Sequence, residues 1–292
     1  MPRGKEICRI ELIENKRFGN ERDLYGSREL IVRKCRFEGP EDGESALKES
    51  RDIIAEDCFM DLRYPFWHVH NIKIKGGEMT KNCRAALWYD TDVVIEDCKM
   101  NGIKALRECG NIVLDRVSAD SPEFGWKCDH ILIKGGQIAS EYAFLESKDI
   151  NIDGLHFSGK YSFQYTKDVN ICNARMDTKD AFWHAKNVTV TDSVLNGEYL
   201  AWYSDGLTLI RCHIKGTQPF CYCKNLKLID CTMEDCDLAF EYSDVRADVK
   251  SHIISVKNPH KGLIEADSIG EVILTEDSVY PAEAKIVQRK GV

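Results

Sequence analysis

The feature that most limits what this chain can fold into is a period of 19 residues. From Ile150 to Asp244 the sequence divides into five blocks of that length: INIDGLHFSGKYSFQYTKD, VNICNARMDTKDAFWHAKN, VTVTDSVLNGEYLAWYSDG, LTLIRCHIKGTQPFCYCKN and LKLIDCTMEDCDLAFEYSD. Each block opens with apolar residues at positions 1 and 3. Each has another at position 8 (Phe157, Met176, Leu195, Ile214, Met233) and an aromatic-rich patch at positions 14 to 16. A fixed period near 20 residues marks a solenoid, in which one unit cannot bury its apolar face alone and stacks on the next. The register extends back through Ile131, Ile112, Val93, Ile72, Ile53 and Leu30. From Ile53 onward every step is 19 residues except Ile72 to Val93, which is 21 and places a two-residue insertion near TKNC.

Short apolar alternations broken by a turn are a strand pattern, not a helical one. Asn or Asp recurs just before position 1 (Asp92, Asn111, Asp149, Asp168, Asn187, Asn225). These residues tolerate left-handed backbone, which suits a corner repeated on every coil. The expected architecture is all-β: a single-stranded parallel β-helix of about 11 coils of 19 residues. Stacked coils would lie about 4.8 Å apart, so equivalent positions form columns. An N-terminal cap over residues 1–29, coils over 30–250, and last strands with a C-terminal cap over 251–292 make one domain. The caps are needed because a solenoid end exposes apolar coil and unpaired strand edge.

Thirteen cysteines in 292 residues could suggest disulfides or a metal. Block position explains them instead. Cys35, Cys58, Cys98, Cys212 and Cys231 share position 6 with Gly77, Gly136, Ala174 and Ser193, while Cys109, Cys128 and Cys223 share position 17. A column that accepts Cys, Gly, Ala or Ser wants a small residue, and reduced Cys serves as one. No metal or cofactor is expected. The H-x-H pair His68 and His70 reads as hydrogen-bonding, and His156, His213 and His252 as surface. The net charge of −8, with no Lys/Arg run, argues against nucleic-acid and anionic-membrane partners. The start lacks a signal-peptide apolar segment, which points to a cytoplasmic protein.

The phrases TKDVNI, AKNVTV and CKNLKL resemble coils of the pectin-lyase-like superfamily of right-handed β-helices. More closely, DLRYPFWH, RAALWY, GIKALRE, SPEFGW, SEYAFL, GKYSFQY, TKDAFWH, GEYLAWYS, GTQPFCY and AFEYS are similar to an uncharacterised bacterial family of right-handed parallel β-helix proteins of about this length. The resemblance spans residues 20 to 245. It implies the fold and its right hand but supplies no catalytic residues.

Columns whose chemistry changes from coil to coil are solvated surface or a site. All five tryptophans (Trp67, Trp88, Trp126, Trp183, Trp202) occupy position 15, with Arg107 in the same column. Position 14 is largely Phe, Leu and Ala. Adjacent strand residues point to opposite faces, so one of these columns should form an aromatic strip outside. Position 16 adds Glu108, Lys127, Glu146, Tyr165, His184, Tyr203 and Tyr222; position 12 adds Glu123 and Asp180. Aromatic platforms among mixed charges suit an oligosaccharide or polysaccharide, bound by Trp67, Trp88, Arg107, Trp126, Tyr165, Trp183, Trp202, Tyr203 and Tyr222. Were the strip catalytic, as in a glycoside hydrolase or polysaccharide lyase, Glu108 and Glu146 would be the acid/base pair. They stand two coils or roughly 10 Å apart by strand spacing, near the upper end of the about 6.5–9.5 Å of an inverting pair. Lys127, Glu123, Asp180 and His184 would stand beside them. The alternatives are a non-catalytic glycan- or protein-binding scaffold, a homo-oligomer burying the strip, and a salt-bridged aromatic ladder with no ligand.

Overall fold

The computed structural model describes residues 10–39 and 44–289, and within them the chain is a parallel β-solenoid of about 14 turns. The turns number more than the 11 expected because pairing starts earlier and ends later. Glu11–Glu14 already pairs in parallel with Leu30–Arg33, and Lys285–Gln288 pairs with Leu263–Ala266. Exposed Ile10 and Leu12 and charged neighbours hide the repeat in the first of these strands. Residues 1–9 of the expected N-terminal cap lie outside the described residues, as does the 40–43 part of the surface loop.

The register follows the 19-residue step. Val93 pairs with Ile72 and Ile112, and the column continues through Ile131, Ile150, Val169, Val188 and Leu207. A second parallel sheet stacks position 8, from Phe157 through Met176, Leu195 and Ile214 to Met233. The two extra residues before Val93 sit in the corner at Thr80–Arg84, where Asn82 Nδ2 donates to Asp61 Oδ1 at 2.9 Å. At the corner before position 1, Asp92, Asn111, Asp168 and Asn187 all have positive φ. Their side chains form an inter-coil ladder, Asn111 to Asp92 at 2.9 Å and Asn187 to Asp168 at 3.0 Å.

The third side has only two-residue parallel strands, at Phe66–Trp67, Leu87–Trp88 and Leu106–Arg107 and at Glu123–Phe124 and Tyr142–Ala143, and from Tyr161 to Tyr203 it has no strand. In successive coils the residues at positions 12, 14 and 16 are left-handed: Tyr161, Phe163 and Tyr165, then Asp180, Phe182 and His184, then Tyr199, Ala201 and Tyr203. Bulky residues are rarely found there. The stack satisfies the backbone of this segment by hydrogen bonds in both axial directions. Phe182 N–H donates back to Ser162 O at 2.8 Å, while His184 N–H donates forward to Trp202 O at 3.0 Å. Position 14 consequently turns inward, where Phe144, Phe163 and Phe182 stack at 4.8 and 5.2 Å, fully buried. Position 15 is half-exposed through most of the array.

Position 17 is an interior column of small polar side chains, each answering the preceding coil. Ser147 Oγ donates to Gly125 O at 2.6 Å and Cys223 Sγ to Ala201 O at 3.0 Å, and Ser243, one place later in its block, joins the column with Oγ donating to Phe220 O at 2.5 Å. Asp90 occupies this column, fully buried. Its Oδ1 accepts the Val69 N–H at 2.7 Å, and its Oδ2 has no hydrogen-bond partner among the described residues. The described cysteines are free thiols and all but Cys172 are buried. Burial pushes the Cys58 and Cys83 thiols up to about 11, where they stay protonated packing groups.

Candidate functional site

The tryptophan column is built by the third side. Trp67 and Trp88 stack at 5.5 Å with planes 11° apart, and Trp183 and Trp202 at 5.3 Å with planes 2° apart. The Arg107 guanidinium lies between Trp88 and Trp126, 5.6 and 5.5 Å from their ring centres. Coil spacing makes such stacking automatic, and it covers ring faces with neighbouring rings. Indole nitrogens lock the register further: Trp126, Trp183 and Trp202 donate Nε1–H to Tyr142 O, Tyr199 O and Gln218 O at 2.7, 2.8 and 2.8 Å. Trp88 Nε1 is buried without a hydrogen-bond partner among the described residues. Trp183→Phe should therefore cost about 1 kcal/mol in urea unfolding, the net worth of one hydrogen bond. Trp88→Phe should be neutral or stabilising, and equal losses in both would refute the distinction.

Position 16 forms a second ladder outside the first. Tyr165, His184, Tyr203 and Tyr222 stack at 4.9, 4.9 and 4.5 Å with planes within 10°. Tyr165 is 56% exposed. His68 and His70 bond Glu49 and Thr91, at 3.1 and 2.8 Å.

The charged candidates are held as neighbours along the stack. Arg107 Nε lies 3.4 Å from Glu108 Oε1, and Lys127 Nζ 3.7 Å from Glu146 Oε2. Glu123 Oε2 stands 3.8 Å from Lys104 and 3.9 Å from Arg107. Glu108, Lys127 and Glu146 follow one another up one column, each carboxylate beside a cation. Asp180 differs. It is buried, and desolvation raises its carboxyl above the usual range.

A concave surface lies around the corner from these residues, where the second sheet turns into the third side. The groove holds about 470 Å³ and is lined by Asp120, Ser140, Glu141, Ser158, Gly159 and Lys160. Its floor is low because the column beneath is small. A Cβ on Gly159 (φ +153°) would meet Ser140 O at 1.7 Å, so no larger residue fits there. Asp120, Glu141 and Lys160 make no side-chain hydrogen bond or ion pair among the described residues. On the next coils of the same column comparable charges are answered, as in Lys179 to Glu198 at 2.9 Å. Tyr142, which follows Glu141, stacks on Tyr161 at 4.8 Å, and Trp126 meets Tyr142 edge-on at 6.3 Å. Asp180 is the next member of the Tyr142–Tyr161 column.

Sequence reasoning reached the polar columns at positions 12 and 16 but missed the concavity. Its signal is a run of small residues, Ala139, Ser140, Ser158 and Gly159, at positions 9 and 10. Among the described residues no three His, Cys, Asp or Glu side chains are grouped to hold a metal.

A family model described as a protein of unknown function (DUF3737) matches residues 11–287. No curated protein matches the sequence. Among solved structures, the A-module of the mannuronan C-5 epimerase AlgE4 from Azotobacter vinelandii is similar at 10% identity. The match covers 94% of this chain and 88% of that chain, with a TM-score of 0.37.

Proposed function

We propose, for a chain that belongs to the DUF3737 family, that its solenoid binds a linear glycan across the groove beside Tyr142 and Tyr161. The observation that carries this reading is the groove's unpaired charge. Asp120, Glu141 and Lys160 line a depression of about 470 Å³ and make no side-chain hydrogen bond or ion pair among the described residues. Elsewhere on the surface the solenoid answers many of its charges coil by coil. Carboxylates accept from hydroxyls and an ammonium donates to them. Tyr142 and Tyr161 add an apolar wall with polar tips, so the set matches a polyhydroxylated ring that is polar at its rim and apolar on its faces. A chain laid along the axis would meet the same columns again on the next coil.

Binding is favoured over hydrolysis or elimination at Glu108 and Glu146, because each of those carboxylates is engaged by a neighbouring cation. A glycan array followed by calorimetry tests the proposal. The wild type should bind a glycan that Tyr142→Ala and Glu141→Gln each weaken by about tenfold, the worth of one charged hydrogen bond or stacking contact. Silence of the wild type across uronates and neutral glycans would sink it. So would binding that ignores both variants but is lost in Trp183→Ala.

A further inference from the structure

The outer face of the long sheet has two adjoining depressions near its C-terminal end, of about 490 and 270 Å³, and Lys227 and Arg246 line both. The two cations are direct register partners on neighbouring strands, and both are exposed. The same column continues with Leu263 and then Lys285. Lys224 and Lys261 lie in the neighbouring outward column. None of these five cations makes a side-chain hydrogen bond or ion pair among the described residues.

Several other cations on this surface are answered. Arg116 is answered by Asp97 at 2.8 Å, Arg211 by Asp192 at 2.6 Å and Lys215 by Glu234 at 2.6 Å. Like charges directly opposite on paired strands destabilise a sheet. Acids line the same depressions. Asp244 and Glu265 line the depressions without pairing to Lys227 or Arg246, and Asp248 is engaged by Arg289 and by Lys250 at 3.0 Å. The depressions thus carry both signs, with Lys227 and Arg246 side by side and free of ion pairs among the described residues.

We infer that Lys227 and Arg246 form an anion-binding site, separate from the glycan groove and independent of that reading. The ligand class is a molecule with at least two anionic groups about 5 Å apart, the spacing of adjacent strands. Arg246 takes one group through its planar donor fork, Lys227 takes the other as a point charge, and Leu263 stands beyond Arg246 in the same column. Phosphate and carboxylate oxygens share this chemistry.

Calorimetric titration of the full chain with tripolyphosphate, and separately with citrate, tests the site. Saturable one-to-one binding of at least one probe at low salt is expected. Its Kd should rise at least about tenfold in Lys227→Gln and in Arg246→Gln, the loss of one charge-assisted hydrogen bond. It should change less than about twofold in Lys186→Gln, an exposed cation in the same outward column as Lys224 and Lys261 but closer to the N-terminus. Thermal melts check that the variants fold. Tripolyphosphate alone binding would assign a phosphorylated ligand, citrate alone a polycarboxylate, and both a site that reads charge and spacing. Binding of neither probe would overturn the inference, as would binding that Lys227→Gln and Arg246→Gln leave unchanged.

Discussion

Phe163→Ala is expected to destabilise the protein by about 3–5 kcal/mol, the usual cost of emptying a buried phenylalanine site. Phe163 is fully buried between Phe144 and Phe182, with Phe157 edge-on at 6.4 Å. Its backbone is left-handed at φ 57°. Alanine bears the same Cβ penalty there, so the substitution removes packing while leaving the backbone cost in place. The stack also links one coil to the next. A solenoid's stability is approximately a sum of coil and nearest-neighbour terms, so a cavity here weakens the junction between the two halves of the array. Chemical denaturation should show a lower midpoint and a broadened or split transition. A loss under about 1 kcal/mol would mean that the stack has collapsed around the gap and does not couple the coils.

The second large effect is at Asp90 and depends on pH. Burial raises its carboxyl well above the ordinary range, and the neighbouring Cys109 thiol acts in the same direction. The native state therefore keeps a proton that the unfolded chain releases near pH 4. Stability from this group is intact in acid. It is lost as pH rises from that value toward the folded-state pKa, at up to about 1.4 kcal/mol per pH unit. An asparagine side chain at this position cannot ionise, keeps the shape, and still offers an oxygen to the Val69 N–H. Asp90→Asn should match the wild type at pH 4 and gain on it steadily as pH rises to 8, read as a widening difference in thermal midpoint. A difference independent of pH would show that the native carboxyl titrates as it does in the unfolded chain.

Asp90 also shows where the sequence is legible. The columns at positions 1, 3, 6 and 8 can be read directly because strands obey a period of two and the coils repeat. The same alignment explains the small cysteine column. At positions 12 to 16 the strand rule fails, since Tyr161, Phe163 and Tyr165 adopt a conformation that their side chains disfavour. Their inward and outward order depends on hydrogen bonds to the coils on either side, which one coil's sequence does not contain. The groove was hidden for a different reason. It is marked by what Ala139, Ser158 and Gly159 lack, while the conspicuous tryptophans are largely occupied with one another and with Arg107. Asp90 shares its column with Ser and Cys, and only burial makes it a retained acid.

The fixed rise per coil also makes the molecule a ruler. The groove at Ser158 belongs to the coil that starts at Ile150, and the cation Lys227 to the one that starts at Leu226. Four coil steps separate them, or about 19 Å along the axis at strand spacing. Adding or removing one whole 19-residue unit between them would move the two marks by one graduation of about 4.8 Å while preserving every column. Distance between surface features is thus written in the chain as an integer, and can change only in whole steps.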